Sequence, residues 1–298
     1  SRKCFYYTDE SDECQPHILH IEQDCKAYTA LLQGESEKYD LNSNITRNFL
    51  YFYEKIKTSD YEIKDFYEAS KKLQVVVIAL EEKDNAQLIF ESLNSTGLAL
   101  TDGDKIRNFI LMNLPEKLQS KCYTNYWRKI EKYANFDQDQ QNSLNAVTLF
   151  VRDFLTARTR SMTNLSEVYP RFKAFAKDWQ GDIEGLLSVM TKFAHYLYQI
   201  ENAETSSTPL NVHLRRFALL EVGVSHPFLM RLLDDFYEKK ISVEDVIRII
   251  CVVENYVFRR FICGLSSNVL NRLFATLYDT AIGLVNERHV SLVQAISF

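Results

Sequence analysis

Glycine and proline are scarce in this chain, with 8 Gly and 5 Pro among 298 residues. A protein built from many short strands needs these residues at its turns, because glycine reaches positive φ and proline fixes the turn backbone. After Leu80, apolar residues recur instead at the three- and four-residue spacing of helices. We therefore predict a mainly α protein, a multi-helical array.

Two segments near the N-terminus favour strands over helices. Residues 17–21 alternate between polar and apolar, and residues 73–80 form a continuous apolar run rich in β-branched side chains. We predict a small α/β region at the N-terminus that contains two or more short strands. An exposed edge of such a sheet pairs readily with another strand, so we expect self-association.

The clearest helix is predicted over residues 242–263. Its apolar positions form one stripe, and Ser242 with Asp245 has the spacing of a capping box. The polar stretch 136–143 is the best internal boundary. We predict two domains, residues 1–135 and residues 136–298, of which the second is helical throughout.

Composition excludes several classes of protein. The net charge is −5, and neither half of the chain carries the basic excess of an autonomous DNA-binding domain. The longest apolar run, residues 75–80, is far shorter than the roughly 20 residues of a membrane span, and no signal peptide is visible. The 19 Phe and 17 Tyr are expected to fill the core between helices. We expect a cytoplasmic protein without membrane contact.

The six cysteines do not form a metal-binding pattern. No C-x-x-C occurs, and His17 and His20 beside Cys14 and Cys25 lie in a segment that is predicted to be extended. We predict reduced thiols and no metal site.

Signatures of catalysis are missing as well. The sequence has no P-loop, G-x-G-x-x-G, H-E-x-x-H or G-x-S-x-G. Most basic pairs read as solvated helix surface, whereas Arg259 and Arg260 lie between Phe258 and Phe261 at the edge of an apolar stripe. We predict that these two arginines form an ion pair or contact an anion such as DNA phosphate.

The segment 86–114 is physically two helices around a tight connection. Gly97 can take the left-handed conformation that closes the first helix. Thr101 and Asp104 can open the second helix as a capping box. This interpretation accounts for the segment without any function.

The same segment resembles the signature of the GmrSD family, a group typified by modification-dependent restriction enzymes. The resemblance lies in Phe90 to Gly97 (FESLNSTG), then Leu100-Thr101, Asp104 and Ile106-Arg107-Asn108. A second stretch, Glu254 to Gly264 (ENYVFRRFICG) followed by Asn268 and Leu270-Asn271, resembles the family's later helical region.

The resemblance implies a three-part layout in which this chain is the central, mostly helical section. An N-terminal ParB/sulfiredoxin-like region of the family carries an Asp-Gly-Gln-Gln-Arg motif linked to nucleotide hydrolysis, and many members end in an HNH nuclease. This sequence has no such motif, since Asp139 to Asn142 (DQQN) lacks the glycine and the arginine, and no nuclease cluster appears before Phe298. The chain also begins without Met, so we expect a fragment whose catalytic neighbours lie outside it.

From the resemblance we expect a non-catalytic scaffold or sensor that links an NTP-dependent region to a nuclease in a DNA restriction, phage-defence protein. The chain itself would hold no cofactor, the family implies an NTP and a divalent metal elsewhere, and DNA would be reached through the intact protein. The alternative is a stand-alone helical module that binds a protein or a nucleic acid. Two roles remain open for the motif residues, namely capping within the turn and lining a cleft. These residues are Glu91, Asn94, Ser95, Gly97, Asp104, Arg107 and Asn108.

Overall fold

A computed structural model describes most of the chain. The described residues are 6–8, 14–16, 22–34, 36–74, 89, 100–112, 114–135 and 145–297. They belong to two compact units, Ser1–Ala79 and Leu80–Phe298. The domain boundary predicted between residues 135 and 136 stays a prediction.

The first unit holds a short hairpin and three helices. The hairpin pairs β1 (Tyr6–Thr8) with β2 (Cys14–Pro16) in antiparallel register. The helices are α1 (Glu22–Gln33), α2 (Asn44–Lys57) and α3 (Ile63–Ser70). Helix α2 begins after Ser43, whose Oγ accepts a hydrogen bond from the backbone N of Ile45 at 3.2 Å. Serine is a common N-cap residue because its hydroxyl accepts from a free backbone N–H of the first turn.

The predicted α/β region is wrong, although the mainly α class is confirmed. Among the described residues the only strands are the three-residue β1 and β2, and no helix packs extensively against them. Strands this short do not make a sheet layer. Leu73 and Gln74 are not in a strand, and the rest of the predicted strands, 17–21 and 75–80, lies outside the described residues. The expected self-association rested on a sheet edge and stays a prediction without that support.

The second unit is helical throughout its described part. Its helices are α4 (Asp102–Leu111), α5 (Glu116–Cys122), α6 (Arg128–Ala134), α7 (Ala146–Thr159), α8 (Val168–Lys177), α9 (Ile183–Asn202), α10 (Thr208–Ala218), α11 (His226–Tyr237), α12 (Val243–Ile262), α13 (Asn268–Arg288) and α14 (Leu292–Ser297). A π-helical turn, Tyr123–Trp127, joins α5 to α6. None of the described helices is long and apolar enough to cross a bilayer.

Aromatic side chains fill the core of this unit, as predicted. The ring of Phe154 on α7 lies 5.5 Å from that of Phe193 on α9 and 5.7 Å from that of Phe175 on α8, both edge to face. Phe150 and Phe172 are fully buried beside them. Helix α9 packs against α6, α7, α10 and α11, so it is the central helix around which the others are arranged.

Helix α12 matches its prediction to within one residue at each end. Ser242 caps it, because its Oγ accepts a hydrogen bond from the backbone N of Asp245 at 3.1 Å. Its stripe is buried at Val246, Ile250 and Val253. The four cysteines that the structure describes in full, Cys25, Cys122, Cys251 and Cys263, are free thiols.

Candidate functional site

The predicted motif is described only from residue 100 onward. Glu91, Asn94, Ser95 and Gly97 lie outside the described residues, so their cleft-lining role stays a prediction. Asp104, Arg107 and Asn108 all lie on α4.

Thr101 and Asp104 form the predicted capping box. Thr101 Oγ1 accepts a hydrogen bond from the backbone N of Asp104 at 3.1 Å, and Asp104 Oδ2 accepts one from the backbone N of Thr101 at 3.3 Å. The backbone N of Gly103 donates a hydrogen bond to Thr148 Oγ1 at 2.9 Å. The backbone N–H groups of Gly103 and Asp104 at the start of α4 are therefore used within the protein rather than left for an anion.

Arg107 clamps α4 to the helical segment that follows it. Its guanidinium lies 3.1 Å from Asp104 Oδ1 and 3.3 Å from Glu131 Oε1. Glu131 Oε1 also accepts a hydrogen bond from Trp127 Nε1 at 2.8 Å. Trp127 is fully buried, so the indole fixes the carboxylate and the carboxylate fixes the arginine. One turn of α4 is thus tied to α6 and to the π-helical turn before it.

Asn108 is the motif residue on α4 whose side chain is available. It is half-buried, and its amide has no hydrogen-bond partner among the described residues. Its backbone carbonyl accepts from the backbone N of Met112 at 2.9 Å and so continues the helix. Of the three motif residues on α4, Asp104 and Arg107 have side-chain partners among the described residues and Asn108 has none.

The predicted arginine pair is divided in the structure. Arg260 Nη2 donates to the backbone carbonyl of Ser266 at 2.8 Å, and its guanidinium lies over the ring of Tyr256 at 5.6 Å. It therefore helps to close the end of α12. Arg259 is exposed and has no partner among the residues that the structure describes. Anion binding at this pair stays a prediction, and Arg259 is the member that could perform it.

The second unit also contains a cavity that the sequence patterns did not predict. Its volume is about 640 Å³, within the range of small-molecule sites. Its walls are mostly apolar and come from α7, α9, α10 and α11. The main apolar residues are Phe150, Leu197, Ile200, Leu214, Phe217 and Leu229.

A charged network forms the polar end of this cavity. His226 Nδ1 lies 3.2 Å from Asp153 Oδ2, and His226 Nε2 lies 2.5 Å from Glu201 Oε1. Asp153 also receives Arg152, whose Nη2 is 2.7 Å from Oδ1. With His226 protonated, two cations and two carboxylates balance each other. The network is largely buried, since the side chain of Asp153 is 6% exposed and that of His226 is 16% exposed.

Protonation of His226 follows from its surroundings. Burial alone lowers the pKa of an imidazole, but the hydrogen bonds and charges of Asp153 and Glu201 outweigh this effect and raise the pKa to about 9. The ring is therefore an imidazolium at neutral pH, with both N–H groups donated to carboxylates. Such a histidine cannot accept a proton, so this arrangement is suited to holding charge and shape rather than to general-base catalysis.

No spacing rule could have revealed this network. Asp153, Glu201 and His226 come from three different helices, and in the sequence each is an ordinary residue of a polar helix position. The packing of α7, α9 and α11 against one another brings these three residues together.

Residues 2–111 match a family model described as GmrSD restriction endonuclease, N-terminal domain. The match includes the motif at residues 90–108 and confirms the resemblance seen there. It ends at Leu111, the last residue of α4, so the second resemblance at residues 254–271 lies beyond it. No curated protein and no solved structure matches the chain.

Proposed function

Residues 2–111 match the N-terminal domain of GmrSD restriction endonucleases, and from this match we propose that the chain is a non-catalytic scaffold or sensor section of a restriction protein. In this role it links an NTP-dependent region to a nuclease in a DNA restriction protein of phage defence. DNA is its partner through the intact protein, and its compartment is the cytoplasm.

One observation carries the scaffold role. The family match ends with α4, and α4 is a core helix of the second unit, with Ile106 and Ile110 buried. The Arg107 clamp to Glu131 adds a polar tie on the same helix. A displacement of the matched segment would therefore be transmitted to the helices around α9, because packed cores move as discrete elements.

The cavity beside His226 supports the sensing part. It is bordered by α7, α9, α10 and α11, and its lining includes Ala134, the last residue of the clamped helix α6, and Asn135, which follows it. A ligand held there would contact α7, which is one of the helices that α4 packs against. Occupancy could then favour one arrangement of the bundle over another, which is what a sensor requires.

Assays on the isolated 298-residue chain and on the product of the intact gene test this role. The isolated chain should hydrolyse no ATP or GTP and cleave no DNA, whereas the intact product should do both. Turnover by the isolated chain that a substitution within it abolishes, for example His226→Gln, would refute the non-catalytic role.

A stand-alone binding module is the second candidate, and the end of α12 favours it. Phe258, Phe261 and Ile262 are 50%, 75% and 66% exposed there, next to Arg259, which has no partner in the described part of the chain. Exposed apolar residues in a group are typical of protein contacts. If this surface carries the function, Phe261→Ser should abolish the binding of a protein partner by the isolated chain. In that case the intact gene product should show no nuclease activity.

A further inference from the structure

A histidine, a cysteine and a glutamate meet where α10 and α12 pack together. Cys251 and Glu254 are three residues apart on α12 and so share a face, and His213 faces them from α10. One donor atom from each residue lies within 4.8 Å of the other two. Cys251 Sγ and His213 Nδ1 are 3.4 Å apart, within hydrogen-bonding distance for sulfur.

Glu254 presents one oxygen that nothing in the described protein satisfies. Its Oε1 pairs with Arg216 Nη2 at 2.7 Å, whereas its Oε2 is buried without a hydrogen-bond partner. A buried carboxylate oxygen left without a partner costs free energy, on the order of 1–3 kcal/mol or more for a charged group. Such an oxygen beside a thiol and an imidazole points to a missing cation.

We propose that His213, Cys251 and Glu254 bind a divalent zinc ion. Thiolate sulfur, imidazole nitrogen and carboxylate oxygen are the three ligand types that zinc takes in proteins, at about 2.0–2.3 Å. The hard cations Mg²⁺ and Ca²⁺ prefer oxygen alone, so the sulfur ligand selects against them. On a tetrahedral ion the three donors would be roughly 3.5 Å apart, which small side-chain rotations from the present separations provide.

The surroundings of the three ligands suit this role. Arg216 pairs with Oε1 of Glu254 and so restrains this carboxylate, as partners of metal ligands commonly do. A shallow depression of about 370 Å³, lined by Cys251, Asn255 and Arg259, adjoins the cluster. It gives an ion a path from solvent and leaves the fourth position to water.

A thiol–imidazole nucleophile is the other reading of this pair, and the electrostatics disfavour it. Burial is the main cause that raises the pKa of the Cys251 thiol, and the charge of Glu254 adds to it, while Arg216 opposes them. This shift favours the thiol over the thiolate, which is the nucleophilic form of cysteine. Zinc would displace the thiol proton to solvent and bind the resulting thiolate.

Metal titration of the whole 298-residue chain tests the site. We expect one Zn²⁺ bound per chain and a rise in Tm on adding it, because a ligand of the folded state alone stabilises that state. Cys251→Ser and His213→Ala should each lower the affinity at least about tenfold, as loss of metal-site partners does. Cys263→Ser is the matched control, since Cys263 is an exposed free thiol, and it should bind zinc as the wild type does.

A second measurement needs no variant and so does not depend on variants that fold. Zinc should protect Cys251 from alkylation in the wild-type chain and leave Cys263 reactive, as read by peptide mass spectrometry. Equal alkylation of Cys251 with and without zinc, or zinc binding that is the same in Cys251→Ser and the wild type, would overturn the proposal. Either result would leave the scaffold role untouched, since the two rest on different residues.

Discussion

At the scale of single residues, buried charge is the main feature of the second unit. His226 is held between Asp153 and Glu201, and Arg152 completes the network. A buried ion is tolerated only when its partners replace the water that it has lost. The network thus stabilises the contact of α7, α9 and α11 only while all of its members keep their charges.

The first prediction concerns the pH dependence of this network. The pKa of His226 is raised to about 9 in the folded chain, above the roughly 6.5 of an unfolded histidine. Its contribution is then fully present below about pH 6.5 and is lost as the pH rises through about 9. The free energy of unfolding of the wild type should exceed that of His226→Gln by up to about 3 kcal/mol near neutral pH, and less at higher pH. Urea unfolding of both proteins across this range measures the difference. A difference that does not change with pH would contradict it.

The second prediction concerns the capping box of α4. Thr101→Ala removes the oxygen that accepts from the backbone N of Asp104, and should lower the free energy of unfolding by about 0.5–2 kcal/mol. Thr280→Ala on α13 is the control, because Thr280 is an exposed mid-helix residue and its change should stay within about 0.5 kcal/mol. Equal effects of the two substitutions in denaturant unfolding would show that the cap adds nothing.

The sequence predicts some of these residues and not others, for a physical reason. Thr101 and Asp104 form their bonds within one turn, so their spacing alone identifies them. His226 and the proposed ligand His213 depend on residues that are distant in sequence; His213 and Cys251 are 38 residues apart. The ion pair or anion contact predicted for Arg259 and Arg260 stays a prediction, and the hydrogen bond from Arg260 to the backbone carbonyl of Ser266 was not predicted from the sequence.

At the scale of elements, the start of α4 depends on close backbone approach. A Cβ at Gly103 would lie 3.0 Å from Val147 Cβ and 3.3 Å from the backbone N of Thr148. The backbone N of Gly103 also donates a hydrogen bond to Thr148 Oγ1. Glycine is therefore needed here to let α4 pack against the start of α7.

The third prediction compares two helical glycines. Gly103→Ala should destabilise the chain by about 1–3 kcal/mol, as overpacking does. Gly283→Ala on α13 is the matched control, because its Cβ would meet nothing within 4 Å. Alanine should there stabilise the helix by up to about 1 kcal/mol. The two Tm shifts should therefore have opposite signs, and a gain in both variants would contradict the packing argument.

Helices with one apolar stripe can be predicted from the sequence, whereas short strands cannot be predicted reliably from their apolar residues. Helix α12 was predicted over 242–263, because its buried positions recur every three or four residues and Ser242 marks its start. Leu73 and Gln74 are not in a strand, and the rest of the strand predicted at 73–80 lies outside the described residues. A continuous apolar run does not by itself distinguish a buried strand from a buried helix. The short hairpin of β1 and β2 has too few residues for an alternating pattern to appear.

At the scale of the whole molecule, the proposed scaffold role requires that the family-matched segment be packed continuously with the helices that follow it. Helix α4 is the end of the match and part of the core of the second unit. Its apolar face provides the packing, and Arg107, whose side chain is 34% exposed, provides a polar tie that can be removed while the buried apolar residues of α4 stay in place. That makes Arg107 the position at which coupling and stability can be separated.

The most direct test of the scaffold role is to measure NTP hydrolysis and DNA cleavage by the intact gene product with Arg107→Ala. The control is Arg248→Ala, since Arg248 is 69% exposed and makes only a 3.6 Å contact with Asp245 on its own helix. We predict that Arg107→Ala keeps the wild-type rate of hydrolysis and lowers cleavage about tenfold, the size of a typical coupling free energy, while the control changes neither. Wild-type cleavage by a folded Arg107→Ala protein, or an equal loss of both activities, would contradict the account.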